Sequence, residues 1–209
     1  MKRFLALLLA LLLCLGMSGV ANATLFDRGG GLIYDDHLDI TWLQDANYAA
    51  TSGYDSDGRM NWDDALTWAD QLVYQGYSDW RLPTSTFPGG YNNTTSEMGY
   101  MYYMNMGGTS SFPGMNFIDG ETGETRSFQN LQHSFSEYYW SGTEYIYPEV
   151  AFDFCFEDGF QYDDSKFVEQ YAWAVRPGDS APVPEPASII LLGFGLVGLA
   201  GSGRKKFKK

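Results

Sequence analysis

The sequence predicts an α+β domain with a mostly antiparallel sheet, set between an export signal and a C-terminal single transmembrane helix. Three observations predict it. A strongly amphipathic helix lies early in the chain, short Tyr-, Phe- and Trp-rich stretches split by Gly, Pro and Asp turns lie late, and both ends carry apolar runs beside basic residues. Helices first and strands later argue for segregated α and β elements rather than alternating βα units.

The elements follow in order. Gly29-Gly30-Gly31-Leu32-Ile33-Tyr34-Asp35-Asp36 reads as turn, strand and turn, and Ile40-Thr41-Trp42-Leu43 as the returning strand of a hairpin. Asp57-Gly58 marks a tight turn. Asn61 then caps the strongest helix, with Asp63 and Asp64 in its first turn and Ala65, Leu66, Trp68, Ala69 and Leu72 at helical spacing; Gly76 is the expected stop. Ser96 to Asn105 is a second helical segment, capped by Ser96, with Met98, Met101, Tyr102 and Asn105 on one face. Strands are expected at Glu124–Phe128, Tyr138–Ser141, Ala151–Phe156 and Ala172–Arg176. Cys155, between Phe154 and Phe156, reads as a small hydrophobe in a strand.

The ends read as addresses. Residues 1–23 form a signal peptide: Lys2 and Arg3, the apolar run Phe4–Leu15, then Ala21-Asn22-Ala23 with Ala21 and Ala23 for signal peptidase. Its removal leaves Cys155 as the only cysteine, which excludes an internal disulfide. A Pro-rich linker spans 180–186, an uncharged segment spans 187–203, and a basic tail, Arg204-Lys205-Lys206-Phe207-Lys208-Lys209, closes the chain. Seventeen helical residues rise about 25 Å, at the short end of a bilayer span, and the basic cluster would stay cytoplasmic with the domain outside. Val183-Pro184-Glu185-Pro186-Ala187-Ser188, the Gly-rich span and the basic end, in that order, resemble the bacterial PEP-CTERM sorting signal. That resemblance implies an exosortase-type protease as partner, cleavage near Pro184, Glu185 and Pro186, membrane anchoring facing the periplasm before processing, and a surface or extracellular location near exopolysaccharide after it.

Charge bounds the body, residues 24–179. The whole chain carries 13 Lys and Arg against 26 Asp and Glu, but only Arg28, Arg59, Arg81, Arg126, Lys166 and Arg176 fall in the body, against 25 carboxylates. Such a surface repels phosphate backbones and excludes nucleic acid as a partner. The body also holds 32 of the 35 aromatic residues, far too many for a disordered acidic segment.

Four motifs in the body carry a second resemblance. Asn61-Trp62-Asp63-Asp64-Ala65 with Trp68-Ala69, Tyr77-Ser78-Asp79-Trp80-Arg81-Leu82-Pro83-Thr84, Tyr139-Trp140-Ser141-Gly142-Thr143, and Tyr171-Ala172-Trp173-Ala174-Val175-Arg176-Pro177-Gly178 resemble the Lcl C-terminal domain family in content and order. The resemblance implies a C-type-lectin-like fold, two helices flanking a twisted, mostly antiparallel sheet, and a role in adhesion. The family's name-giving adhesin binds sulfated glycosaminoglycans. Sulfated polymers need Lys and Arg clusters, which six cations among 25 acids do not supply, so that specificity is not carried over.

Candidate site residues are few. Trp80, Arg81, Trp140 and Trp173 are the candidate ligand-binding residues: the guanidinium could clamp a carboxylate and the indoles stack on sugars, although the same residues also suit a loop-tying ion pair and a core. Asp55 and Asp57 are candidate calcium ligands, with Gly58 as the loop turn, but Arg59 stands where a further ligand would. Otherwise no cofactor is expected. His37 and His133 lie far apart in sequence without a second-ligand pattern, and no nucleophile elbow, phosphate loop or dinucleotide fingerprint occurs. The expectation is a non-enzymatic, lectin-like binding and adhesion module. The alternatives are a structural matrix component without a discrete ligand and, using two of Glu121, Glu124, Glu137, Glu144 and Glu149, a polysaccharide hydrolase.

Overall fold

The expected hairpin opens the domain: β2 (Leu32–Asp35) and β3 (Ile40–Leu43) pair antiparallel, with Ile33 opposite Trp42. The structure is a computed structural model and describes residues 24–108 and 116–180. The signal peptide with Ala21 and Ala23, the sorting motif Pro184, Glu185 and Pro186, the 187–203 span and the basic tail lie outside the described residues. Among the described residues no helix is long and apolar enough to cross a membrane.

Short helices are few and strands many, consistent with α+β. The single expected sheet is two. β1 (Leu25–Asp27), β2, β3 and β11 (Val175–Pro177) form an antiparallel sheet in that order. β4 (Arg59–Met60), β10 (Gln170–Tyr171), β7 (Tyr138–Glu144), β8 (Val150–Cys155) and β9 (Gln161–Ser165) form the other, in which only β10 and β7 run parallel. A separate hairpin of β5 (Asn116–Ile118) and β6 (Thr125–Ser127) is tied to β1, with the Gly120 amide donating to the Leu25 carbonyl at 2.9 Å. The reason is at Ala172–Ala174. The expected strand Ala172–Arg176 is formed only at its end: the chain leaves one sheet after β10, crosses through Ala172–Ala174 outside any strand, and enters the other as β11.

Trp173 occupies that crossing. Its ring centroid lies 4.6 Å from Trp42 of the first sheet, 6.1 Å from Tyr139 of the second, and 5.0 Å from Phe128. Its indole N–H donates to the Leu43 carbonyl at 2.7 Å, whereas the buried indole nitrogen of Trp42 beside it has no hydrogen-bond partner.

The helices follow sequence logic with two departures. After α1 (Tyr48–Thr51), Asp57-Gly58 turns tightly: Gly58 has φ +84°, and a Cβ there would run into the Asn47 side chain. Asn61 caps α2 (Trp62–Gln71) by accepting the Asp64 N–H at 3.0 Å. That helix ends before Gly76, because Leu72 turns extended and Tyr74 and Tyr77 exchange both backbone hydrogen bonds. Gly76 and Gln75, both at positive φ, make that tight turn instead of a helix stop. Ser96 caps α3 (Glu97–Tyr100) as expected, but the chain then widens into a π-helical turn, Met101–Asn105. Met98, Met101 and Tyr102 are buried as the stripe predicted, while the Asn105 amide donates to the Asp35 carboxylate at 2.6 Å.

Candidate functional site

The four sequence motifs meet in space, and what they build is scaffold. Trp62 Nε1 donates to the Ser141 carbonyl at 2.7 Å, and Ser141 Oγ donates to the Pro83 carbonyl at 2.9 Å. Arg81 and Val175 exchange both backbone hydrogen bonds at 2.8 Å. Arg176 forks onto Asp79 at 2.8 and 2.9 Å and lies 4.0 Å over the Tyr77 ring. Each motif thus supplies a partner to another.

The candidate ligand residues divide accordingly. Trp140 and Trp173 are wholly buried, with Trp140 Nε1 donating to the Met60 carbonyl at 2.9 Å, so neither offers a ring face to a sugar. Trp80 is buried too, and its indole donates to the Tyr77 carbonyl at 3.2 Å. Trp80 and Arg81 do come together along a groove of about 390 Å³, lined also by Leu66, Thr67, Asp70 and Leu82. Arg81 spends its fork internally: Nη1 and Nη2 each donate to Glu97 at 2.7 Å, and Nη1 also donates to the Leu82 carbonyl at 3.0 Å.

Asp55 and Asp57 serve their own loop. Asp55 Oδ1 accepts the Asp57 and Gly58 amides at 3.0 and 2.8 Å, and Asp57 Oδ1 accepts the Arg59 amide at 3.0 Å. Those backbone donors hold the Asp55 carboxyl below its usual range. Among the described residues no three His, Cys, Asp or Glu side chains gather as a metal site would require. Of the carboxylates weighed for hydrolysis, Glu121 pairs with Arg28, Glu124 with Arg126 and Glu144 with Lys166, while Glu137 accepts the His133 and Ser134 amides.

A contiguous, partly accessible row of aromatic rings lies elsewhere, along β9. Tyr162 pairs with Asp153 and Tyr138 with Cys155, which puts both rings on the same face of the sheet by strand alternation. Phe160, two residues before Tyr162, joins them. Gly90 bridges Gln161 through backbone hydrogen bonds of 2.8 and 3.1 Å and brings Tyr91 alongside. The result is a row: Tyr138 to Tyr162 at 5.4 Å, Tyr162 to Phe160 at 4.1 Å, and Phe160 to Tyr91 at 4.6 Å between ring centroids. Tyr138, Phe160 and Tyr162 are half-buried, and Tyr91 is 57 % exposed.

Carboxylates border the row. Asp158 accepts the Tyr91 hydroxyl at 3.3 Å and the Phe160 amide at 3.0 Å. Burial, with Asp158 adding to it, pushes the Tyr162 phenol up to about 12, so its hydroxyl stays a neutral donor at physiological pH. Asp153 lies on the same side but wholly buried; Gln170 Nε2 donates to its Oδ2 at 2.6 Å and its Oδ1 has no hydrogen-bond partner. Burial pushes this carboxyl up to about 7. The sequence signal for the row is an aromatic just after Gly159, another two residues later, and Tyr91 just after Gly89-Gly90; Gln161–Ser165 itself is too polar to stand out as a strand. Stacking and hydrogen bonding to a neutral polyol are what such a surface can do.

Pro182 to Lys205 contains the Pro-Glu-Pro element, the apolar span and the first basic residues. Residues 182–205 match the family model for the PEP-CTERM protein-sorting motif. The motif supports an exported surface protein, processed by the membrane protein exosortase and anchored in the membrane before sorting. No curated protein and no solved structure matches the chain.

Proposed function

We propose that this is an exported, exosortase-sorted protein of the cell surface or extracellular matrix, whose body is a lectin-like adhesion module for exopolysaccharide. It acts without chemistry on its ligand. The observation that carries the binding half is the row Tyr91–Phe160–Tyr162–Tyr138, since aromatic faces with nearby hydroxyls and carboxylates suit the apolar faces and hydroxyl edges of pyranoses. The order of the four motifs along the body supports a C-type-lectin-like domain of the Lcl C-terminal kind. Engagement of Glu121, Glu124, Glu137 and Glu144 in internal contacts favours binding over hydrolysis.

The test is pull-down of the exported protein on polysaccharide purified from its host. Retention that persists in about 0.5 M salt, where charge attraction is screened within a few ångströms, and that falls in Tyr162→Ser, is the expected outcome. No retention at any salt concentration would leave the structural matrix component as the better description.

A further inference from the structure

The border of the aromatic row narrows the ligand class, given that the row is a glycan-binding face as proposed above. Every cation of the described residues is already engaged: Arg28 with Glu121 and Asp179, Arg59 with the Glu169 carbonyl, Arg81 with Glu97, Arg126 with Asp27 and Glu124, Lys166 with Glu144, and Arg176 with Asp79. The undescribed stretch 109–115, Thr-Ser-Ser-Phe-Pro-Gly-Met, brings no charge. A ligand carrying sulfate or uronate would therefore meet carboxylates with no counter-charge to offset them.

Beside the rings the charge is negative. Asp158 touches Tyr91 and Phe160, and Asp164, half-buried, lies two residues after Tyr162 on the same face of β9. Aromatic faces beside carboxylates attract ammonium twice over, through the negative ring face and through direct ion pairing. A neutral sugar would gain the stacking and hydrogen bonds but no ion pair. We infer that the row Tyr91–Phe160–Tyr162–Tyr138 takes a glycan bearing free amino groups, a hexosamine polymer that is at least partly unacetylated, with its ammonium groups held at Asp158 over the Tyr91 and Phe160 rings.

The test compares three oligosaccharides of equal length on the exported protein at pH 6: glucosamine oligomer, its fully N-acetylated counterpart, and a sulfated oligomer. The expected result is binding of the glucosamine oligomer, about tenfold or more weaker binding of the acetylated one, and none of the sulfated one. Tyr91→Ala and Asp158→Asn, both at the rim, should each weaken glucosamine-oligomer binding about tenfold while the melting temperature stays within a few degrees. Equal binding of the acetylated and free-amine oligomers overturns the amino-group assignment but leaves the glycan-binding reading intact. Failure of all three, together with failure on the host polysaccharide, overturns both. Glucosamine-oligomer binding undiminished in Tyr91→Ala means diffuse attraction to an acidic protein, and the assignment falls with it.

Discussion

Arg81 and Glu97 close a two-pronged ion pair, both contacts at 2.7 Å, and the same carboxylate accepts the Thr84 amide at 2.7 Å. The pair fastens the segment after Trp80 to the first turn of α3, while the Arg81 backbone is already bridged to Val175. Arg81 is thus committed to holding two loops together. Arg81→Ala strands a carboxylate that is only 12 % exposed, and the loss is about 2 kcal/mol. For a domain of this size that lowers the melting temperature by about 4–8 °C. Glycan retention at a fixed temperature below the transition should be unchanged; a variant that melts normally yet no longer binds would move the site to the Trp80–Arg81 groove.

Trp173→Ala should be far costlier. The indole fills the joint between the sheets and satisfies the Leu43 carbonyl, so its removal leaves a cavity and costs about 3–5 kcal/mol. Thermal melting of this variant beside Tyr91→Ala separates scaffold from surface: a drop of about 10 °C or more is expected for the first and almost none for the second. Comparable drops would mean that the Tyr91 ring is a core element.

Local structure was legible in the sequence wherever one residue type had one physical use. Asn61 and Ser96 cap their helices as expected, and the Leu32–Leu43 hairpin pairs in register. What failed were features set by distant partners. Gly76 looks like a helix stop, yet it serves a turn closed by Tyr74 and Tyr77. Ala172–Arg176 reads as one strand because nothing local reveals that Ala172–Ala174 carry the chain across from one sheet to the other. The same holds for the site. Tryptophans in motifs draw attention, but Trp140 and Trp173 stand out because the core requires them. The exposed row could not be read, because it joins Tyr91 to Phe160 through a single backbone bridge between segments about 70 residues apart in sequence.

The tail carries its own prediction. The sorting motif at residues 182–205 implies exosortase processing, and Pro184, Glu185 and Pro186 form its polar element. Changing Pro184 and Glu185 together to alanine should leave a full-length, membrane-bound protein in the native host, detected as a heavier band in the membrane fraction. Normal processing and normal location in that variant would refute the assigned role of these residues.

Asp153 gives a prediction whose sign is fixed by its surroundings. Burial pushes its carboxyl up to about 7, with Asp164 and Asp163 adding to the shift and the Gln170 amide opposing it. An acid whose folded pKa exceeds its unfolded value holds its proton more tightly in the native state, so its contribution is complete at low pH. That contribution declines as pH rises from the unfolded value near 4 to the folded value near 7, and is flat above it. The full shift corresponds to about 4 kcal/mol. Other carboxyls move oppositely: backbone donors outweigh burial at Asp119 and hold it down to about 2. The pH profile of the whole protein therefore mixes both kinds, and the informative quantity is the difference between Asp153→Asn and the unmodified chain. Asparagine keeps an acceptor for Gln170 and carries no charge at any pH. The two melting temperatures should nearly coincide at pH 4, diverge in favour of the variant between pH 4 and 7, and stay a constant interval apart at pH 8 and 9. A difference that does not change with pH would mean that Asp153 titrates as an ordinary carboxylate and that its unpaired oxygen reaches water.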